Sequence, residues 1–135
     1  MKNHGEIEVR VRYSETDQMG VVYHSNYLNY LELSRVECLR ELGFSYAELE
    51  KKDVLLPVVR VALDYRSPAR YDDLLRIETR VSEMGGSSIE FQSEIYNQKG
   101  TLLVEALVKL VCIQSVTFKP MAVPIYLREL IEKMA

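Results

Sequence analysis

One long helical stretch, apolar around most of its circumference, constrains this chain more than any other feature. Leu28, Leu31, Cys38, Leu39 and Leu42 lie three, four or seven residues apart and share a face; Tyr27, Tyr30, Leu33 and Val36 widen that face well beyond a surface stripe. Such a helix has to be wrapped on most sides by other structure. Ser25 and Asn26 fit as caps at its start, and Gly43 fits as its stop. A short second helix is expected over Ser45 to Lys51.

The wrapping material is β-structure. Ile7, Val9, Val11 and Tyr13 alternate with Glu6, Glu8, Arg10 and Arg12 ahead of the helix, the period of two expected of a strand. After it come Val59 to Tyr65, Leu75 to Val81 and Ile89 to Ile95, each alternating in the same way. Gly85-Gly86 and Asn97-Gln98-Lys99-Gly100 mark the turns between strands. Leu102 to Ile113 is apolar on nearly both faces, which fits a central strand or one at a subunit contact. Pro124 opens a closing helix over Ile125 to Met134. Strand, long helix, then a run of antiparallel strands gives a two-layer α+β domain spanning residues 1–135, with one sheet curled around the helix. Such a sheet leaves edges uncovered, so self-association is expected.

Composition excludes several function classes. Apolar residues make up 47% and charged residues 27% of 135 residues, as in a soluble globular domain rather than a disordered one. A net charge of −3 provides no basic face for nucleic-acid phosphates. Met1 to Glu6 has no signal-peptide core, and no apolar run approaches the ~20 residues that span a bilayer. Cys38 and Cys112 sit inside apolar stretches, with no close pairing and no partner ligands. They read as buried thiols in a reducing compartment, and the cytoplasm follows by elimination.

The chemistry is expected in the segment from Tyr13 to Tyr27, which joins the first strand to the helix. Asp17 is a lone carboxylate on a loop bordered by apolar residues, and Gly20 permits a sharp turn. The helix starts near Val22 to Asn26, where several backbone N–H groups have no partner within the helix. Those amides and the helix dipole make a site for developing negative charge. A carboxylate beside them could attack a thioester carbon, or take a proton from an attacking water, with no metal or cofactor. The ordinary roles of these residues stand beside that reading. A loop Asp before a helix commonly caps or turns the chain. His24 at a helix start commonly serves as a hydrogen-bonded structural group, Asn26 as a cap, and Tyr23, Tyr27 and Tyr30 as packing.

Asp17-Gln18-Met19-Gly20-Val21-Val22-Tyr23-His24-Ser25-Asn26-Tyr27-Leu28 closely resembles the signature of the 4-hydroxybenzoyl-CoA thioesterase family, and within it the YbgC-type acyl-CoA thioester hydrolases. Tyr65-Arg66-Ser67-Pro68-Ala69-Arg70-Tyr71-Asp72-Asp73-Leu74 resembles a second family motif, and Phe118-Lys119-Pro120 with Pro124 a weaker third. The resemblance covers nearly the whole chain. It implies the hotdog fold and hydrolysis of an acyl-CoA, or of an acyl carrier protein as alternative donor. It implies homodimers with active sites at the interface, often paired into tetramers. Asp17 is then the catalytic nucleophile or general base, His24 a catalytic helper, and the amides around Tyr23 and His24 the groups that hold the thioester oxygen. Gly20 and Asn26 fall among the substrate-contacting motif positions, Asn26 in a mainly structural role. Val59 and Arg60 would line the acyl or pantetheine channel from the partner protomer. The turn that carries basic phosphate-binding residues in some members is here Gly85-Gly86-Ser87-Ser88. Ser87 and Ser88 would then stand at the nucleotide, with Arg60, Arg66, Arg70 or Lys119 as the cations. A hydratase or dehydratase of the same fold, and a non-enzymatic acyl-CoA-binding module, are the alternative readings.

Overall fold

A computed structural model describes residues 4–134. In chain order it contains β1 (His4–Arg10), a 3-10 turn (Tyr13–Glu15), α1 (Asn26–Glu41), α2 (Tyr46–Lys51), β2 (Val54–Leu55), β3 (Val58–Tyr65), β4 (Leu74–Met84), β5 (Ser88–Tyr96), β6 (Leu102–Val111), β7 (Ile113–Gln114) and α3 (Ile125–Met134). Five strands form one antiparallel sheet in the order β1-β4-β5-β6-β3, and β2 pairs with β7 as a separate ribbon. The fold class is therefore the expected α+β arrangement, with a long helix against one antiparallel sheet.

Period-two patterning fixes the register. Ile77 stands opposite Ile7 on β1 and Ile95 on β5, and Ile95 in turn stands opposite Val104 on β6. These side chains point to one face and meet Tyr27, Tyr30 and Leu31 of α1 in a single apolar cluster. A second cluster joins Cys38, Leu39 and Leu42 of α1 to Ile89 and Phe91 of β5 and to Leu127 and Ile131 of α3. Between the two, three buried hydroxyls form a chain, with Ser34 to Thr79 and Thr79 to Ser93 each 2.6 Å. They give α1 one polar register point on an otherwise apolar sheet face.

The local signals set the helix ends. Ser45 caps α2 by accepting from the Glu48 amide at 3.2 Å. α1 stops where Gly43 takes φ +95°. The wrapping of α1 is narrower than its composition implies. Its buried residues form one stripe, Tyr27, Tyr30, Leu31, Ser34, Arg35, Cys38 and Leu39, while Leu28 and Leu33 are exposed. The sheet covers one side of the helix, and among the described residues no second layer covers the other.

β6 lies between β5 and β3, so its two-sided apolarity is that of a central strand. β3 lies at the sheet edge, and its alternating residues are nearly all exposed. Alternation alone marks a strand without saying that anything covers it. Strands β2 and β7, two residues each, are too short for a period to register. Both cysteines are buried and neither forms a disulfide; burial pushes each thiol up to about 11.

Candidate active site

The loop between β1 and α1 is built around Glu15. Burial pushes its carboxyl up, but hydrogen bonds from the Arg12 amide, the Tyr30 hydroxyl and the Arg12 guanidinium outweigh that and hold it below the usual carboxylate range. The Arg12 amide and Tyr30 Oη both donate to Glu15 Oε1 at 2.8 Å. Its backbone carbonyl accepts from the Tyr23 amide at 3.0 Å and from Asn26 Nδ2 at 2.8 Å. One residue thus ties the end of β1, the approach to α1 and the first two turns of that helix together.

Beyond Glu15 the chain makes a tight hairpin. The Asp17 amide donates to Val21 O at 2.9 Å, and the Gly20 amide donates to Asp17 O at 3.0 Å. Gly20 has φ +79°, and a Cβ there would meet no atom within 4 Å. Backbone conformation, not lack of space, is what calls for glycine here. Val22 is held by its amide to Ala69 O at 2.8 Å, and Tyr27 Oη accepts from the Ala69 amide at 3.2 Å. The Tyr65–Leu74 motif therefore buttresses the Asp17 motif.

Asp17, Tyr23 and His24 come together on one cleft of about 320 Å³, whose walls include Met19, Val21, Val22, Tyr27, Tyr65 and Arg66. Asp17 is half-buried. Its Oδ1 accepts from the Met19 amide at 2.8 Å, which fixes the carboxylate on its own turn; Oδ2 has no protein donor among the described residues. The rings of Tyr23 and His24 lie 4.4 Å apart. Tyr65 Oη donates to His24 O at 3.1 Å and ties the tip of β3 to the start of the helix. Burial raises the phenols of Tyr27 and Tyr30, so both remain protonated.

The free amide donors are shifted along the chain from where the sequence motif puts them. The Tyr23 amide is already bonded to Glu15 O. Ser25, the residue before α1, makes no side-chain cap. The amides of His24 and Ser25 have no protein acceptor among the described residues. They stand at the positive end of α1. A carboxylate with an open oxygen on one wall of a cleft and unpaired amides at a helix start can together attack an acyl carbon and hold its oxygen.

The other candidate residues lie elsewhere in the chain. Asn26 anchors the Glu15 carbonyl and does not line the cleft. Val59 and Arg60 are exposed on β3, and Ser87 and Ser88 lie at the β4–β5 turn, where the Ser87 carbonyl accepts from the Cys112 amide at 2.7 Å. None of these four touches the cleft within one chain. Sequence reasoning missed Glu15 and Tyr65. The Arg12–Glu15 spacing of three was the one local sign of Glu15's role. Tyr65 gave no sign beyond its place at the head of the second motif.

The family model of the thioesterase-like superfamily matches residues 11–131, and the chain belongs to that superfamily. It is 40% identical to the putative acyl-CoA thioesterase YneP of Bacillus subtilis, over 84% of this chain and 82% of that protein. It is 42% identical to the acyl-CoA thioester hydrolase YbgC of Escherichia coli, over 86% of this chain and 87% of that one. A DHNA-CoA thioesterase from Staphylococcus aureus superposes with a TM-score of 0.91 at 34% identity, covering 96% of this chain and 89% of the other. The architecture is the hotdog fold of these enzymes.

Proposed function

We propose that this chain is an acyl-CoA thioesterase, hydrolysing the thioester to a free acid and CoA. One observation carries the chemistry: Asp17 shares a cleft with His24, whose backbone amide, like that of the adjacent Ser25, has no acceptor among the described residues. The similarity to YbgC and YneP over most of the chain supports the acyl-CoA class.

The thioester oxygen sits at the His24 and Ser25 amides, which become better partners as it gains charge. Asp17 then acts in one of two ways. As nucleophile, a carboxylate oxygen bonds to the carbonyl carbon, the carbon–sulfur bond breaks, and water hydrolyses the resulting anhydride. As general base, Asp17 takes a proton from water, the hydroxide adds to the carbon, and the carbon–sulfur bond breaks to release the free acid and CoA. In either case His24 supplies a proton to the departing sulfur, and the ring of Tyr23 packs beside the imidazole. Gly20 keeps the turn that presents Asp17. No step calls for a metal or a cofactor.

The exposed edge β3 supports a homodimer. Val58, Val59 and Val61 are each at least 40% exposed, and the strand's outer edge carries no partner in the five-stranded sheet. A two-fold antiparallel pairing centred near Ala62 sets residue 65 of one copy opposite residue 59 of the other. Val59 and Arg60 of the second copy then complete the cleft beside Tyr65. Two such dimers form the tetramer. CoA's phosphates meet Arg60, Arg66, Arg70 or Lys119, with Ser87 and Ser88 as hydroxyl donors; an acyl carrier protein is the alternative donor. Buried thiols outside any disulfide support a reducing, cytoplasmic setting.

A panel of short, branched, long-chain and aromatic acyl-CoAs with a free-thiol readout tests the activity. Release of CoA from at least one member is expected. Thermal stabilisation by the panel without CoA release would identify a binding module instead. A mass shift of one acyl group on Asp17 after a rapid quench marks the nucleophile; its repeated absence marks the general base.

A further inference from the structure

A groove of about 240 Å³ lies beside the cleft, along the seam where α1 faces β3 and β6. Leu31, Val58, Val61 and Val108 make its walls apolar, and Arg35 and Glu32 bring charge to it. Arg35 is only 6% exposed. Its Nε donates to Tyr46 Oη at 3.1 Å, and it makes no ion pair among the described residues. Among those residues, no side-chain nitrogen sealed from solvent lacks a partner. The two Nη groups have no protein acceptor among the described residues and keep some exposure, and Arg35 is one of the residues that line the groove. A guanidinium carries five N–H donors, and burying a charge is costly unless it is paired and hydrogen-bonded. Arg35 is thus held by Tyr46 beside the groove, with its remaining donors unmatched among the described residues.

The groove's position indicates what would match them. Leu28 begins it directly after Tyr27, which lines the cleft; on β3, Tyr65 lines the cleft and Val61 and Val58 line the groove. An acyl group whose carbonyl sits at the His24 and Ser25 amides and which runs along α1 enters it. A helix rises about 1.5 Å per residue, so Arg35 lies roughly 15 Å along from Ser25. A helical side chain leans back toward the N-terminus, which shortens the span to roughly 10 Å. Glu32, one turn before Arg35 on the same groove, opposes a carboxylate there. A neutral hydroxyl suits both, accepting from an Arg35 Nη and donating to the Glu32 carboxylate.

We propose that cleft and groove form one acyl channel in which Arg35 selects acyl groups bearing a hydroxyl roughly 10 Å from the thioester carbonyl. This rests on the thioesterase reading. The test compares kcat/KM for octanoyl-CoA, 8-hydroxyoctanoyl-CoA and the mono-CoA thioester of suberic acid on the wild-type protein and on Arg35→Met, Arg35→Lys and Tyr46→Phe. The expected wild-type preference for 8-hydroxyoctanoyl-CoA over octanoyl-CoA is about tenfold or more, the worth of one hydrogen bond to a charged group. Arg35→Met brings that ratio close to one, and Tyr46→Phe and Arg35→Lys lower it. Equal wild-type rates on the two substrates would overturn the proposal, as would a wild-type preference for the suberic thioester over the hydroxylated one. Retention of the full ratio in a folded Arg35→Met protein would also overturn it. Should Arg35→Met not fold, the wild-type ratio and its change in Arg35→Lys decide the matter. Failure of the wild type to hydrolyse any thioester, in this set or in the wider panel, would instead remove the thioesterase reading and the proposal with it.

Discussion

At the scale of the residue, Glu15 sets the geometry on which Asp17 depends. Its side chain accepts from Arg12 and Tyr30, and its carbonyl accepts from Tyr23 and Asn26. Glu15→Gln keeps the shape but loses the charge that strengthens these bonds. It should lower stability by about 1–3 kcal/mol, read as a shift in the denaturant midpoint. The pH dependence has a definite sign. The folded carboxyl lies below its ordinary value of 4.5, so its contribution is present above that pH and is lost as pH falls through the folded value. The difference in stability between wild type and Glu15→Gln should therefore shrink on acidification below pH 4.5. A difference that is constant with pH would show that Glu15 acts by shape alone. Sequence pattern could not foresee this role, because Glu15's partners Tyr23, Asn26 and Tyr30 come from irregular chain and a helix start. No repeat period connects such positions. Asp17 and Gly20, by contrast, stand in the motif that resembles the family signature, and the structure places both on one tight turn.

At the scale of the element, alternation and capping carried most of the fold. β4, β5 and β6 each show an alternating burial rhythm, and Ser45 starts α2 and Gly43 stops α1 where their chemistry dictates. What could not be read was which apolar face is covered. β3 alternates as regularly as β4 yet is exposed, since coverage depends on neighbours brought from distant parts of the chain. The hydroxyl chain Ser34–Thr79–Ser93 was also hidden, its members lying on three separate elements. It pins α1 to β4 and β5, so Thr79→Val should leave the hydroxyls of Ser34 and Ser93 without their shared partner and cost about 2 kcal/mol. Chemical denaturation measures that loss, and a cost below a few tenths of a kcal/mol would mean that the chain adds nothing to the packing around it.

At the scale of the whole molecule, one protomer holds the carboxylate and the amides, while Val59 and Arg60 lie on an exposed edge away from its own cleft. In the proposed dimer, edge pairing between two copies would bring both sets together. Val61→Lys places a charge on that edge, a device that discourages strand pairing. It should yield a monomer by light scattering. A monomeric wild type with full activity would remove the need for a second copy. Both thiols are buried and held protonated, so neither should react with a thiol reagent at neutral pH until the protein unfolds.

In the proposed reaction the Asp17 carboxylate attacks, or activates water to attack, a carbonyl held at the start of α1. Steady-state kinetics of Asp17→Asn beside the wild type, on the best acyl-CoA of the panel and with thermal midpoints recorded for both, tests it most directly. Matching midpoints and a fall in kcat of roughly a hundredfold or more are expected. A folded Asp17→Asn protein that turns over at the wild-type rate would contradict it.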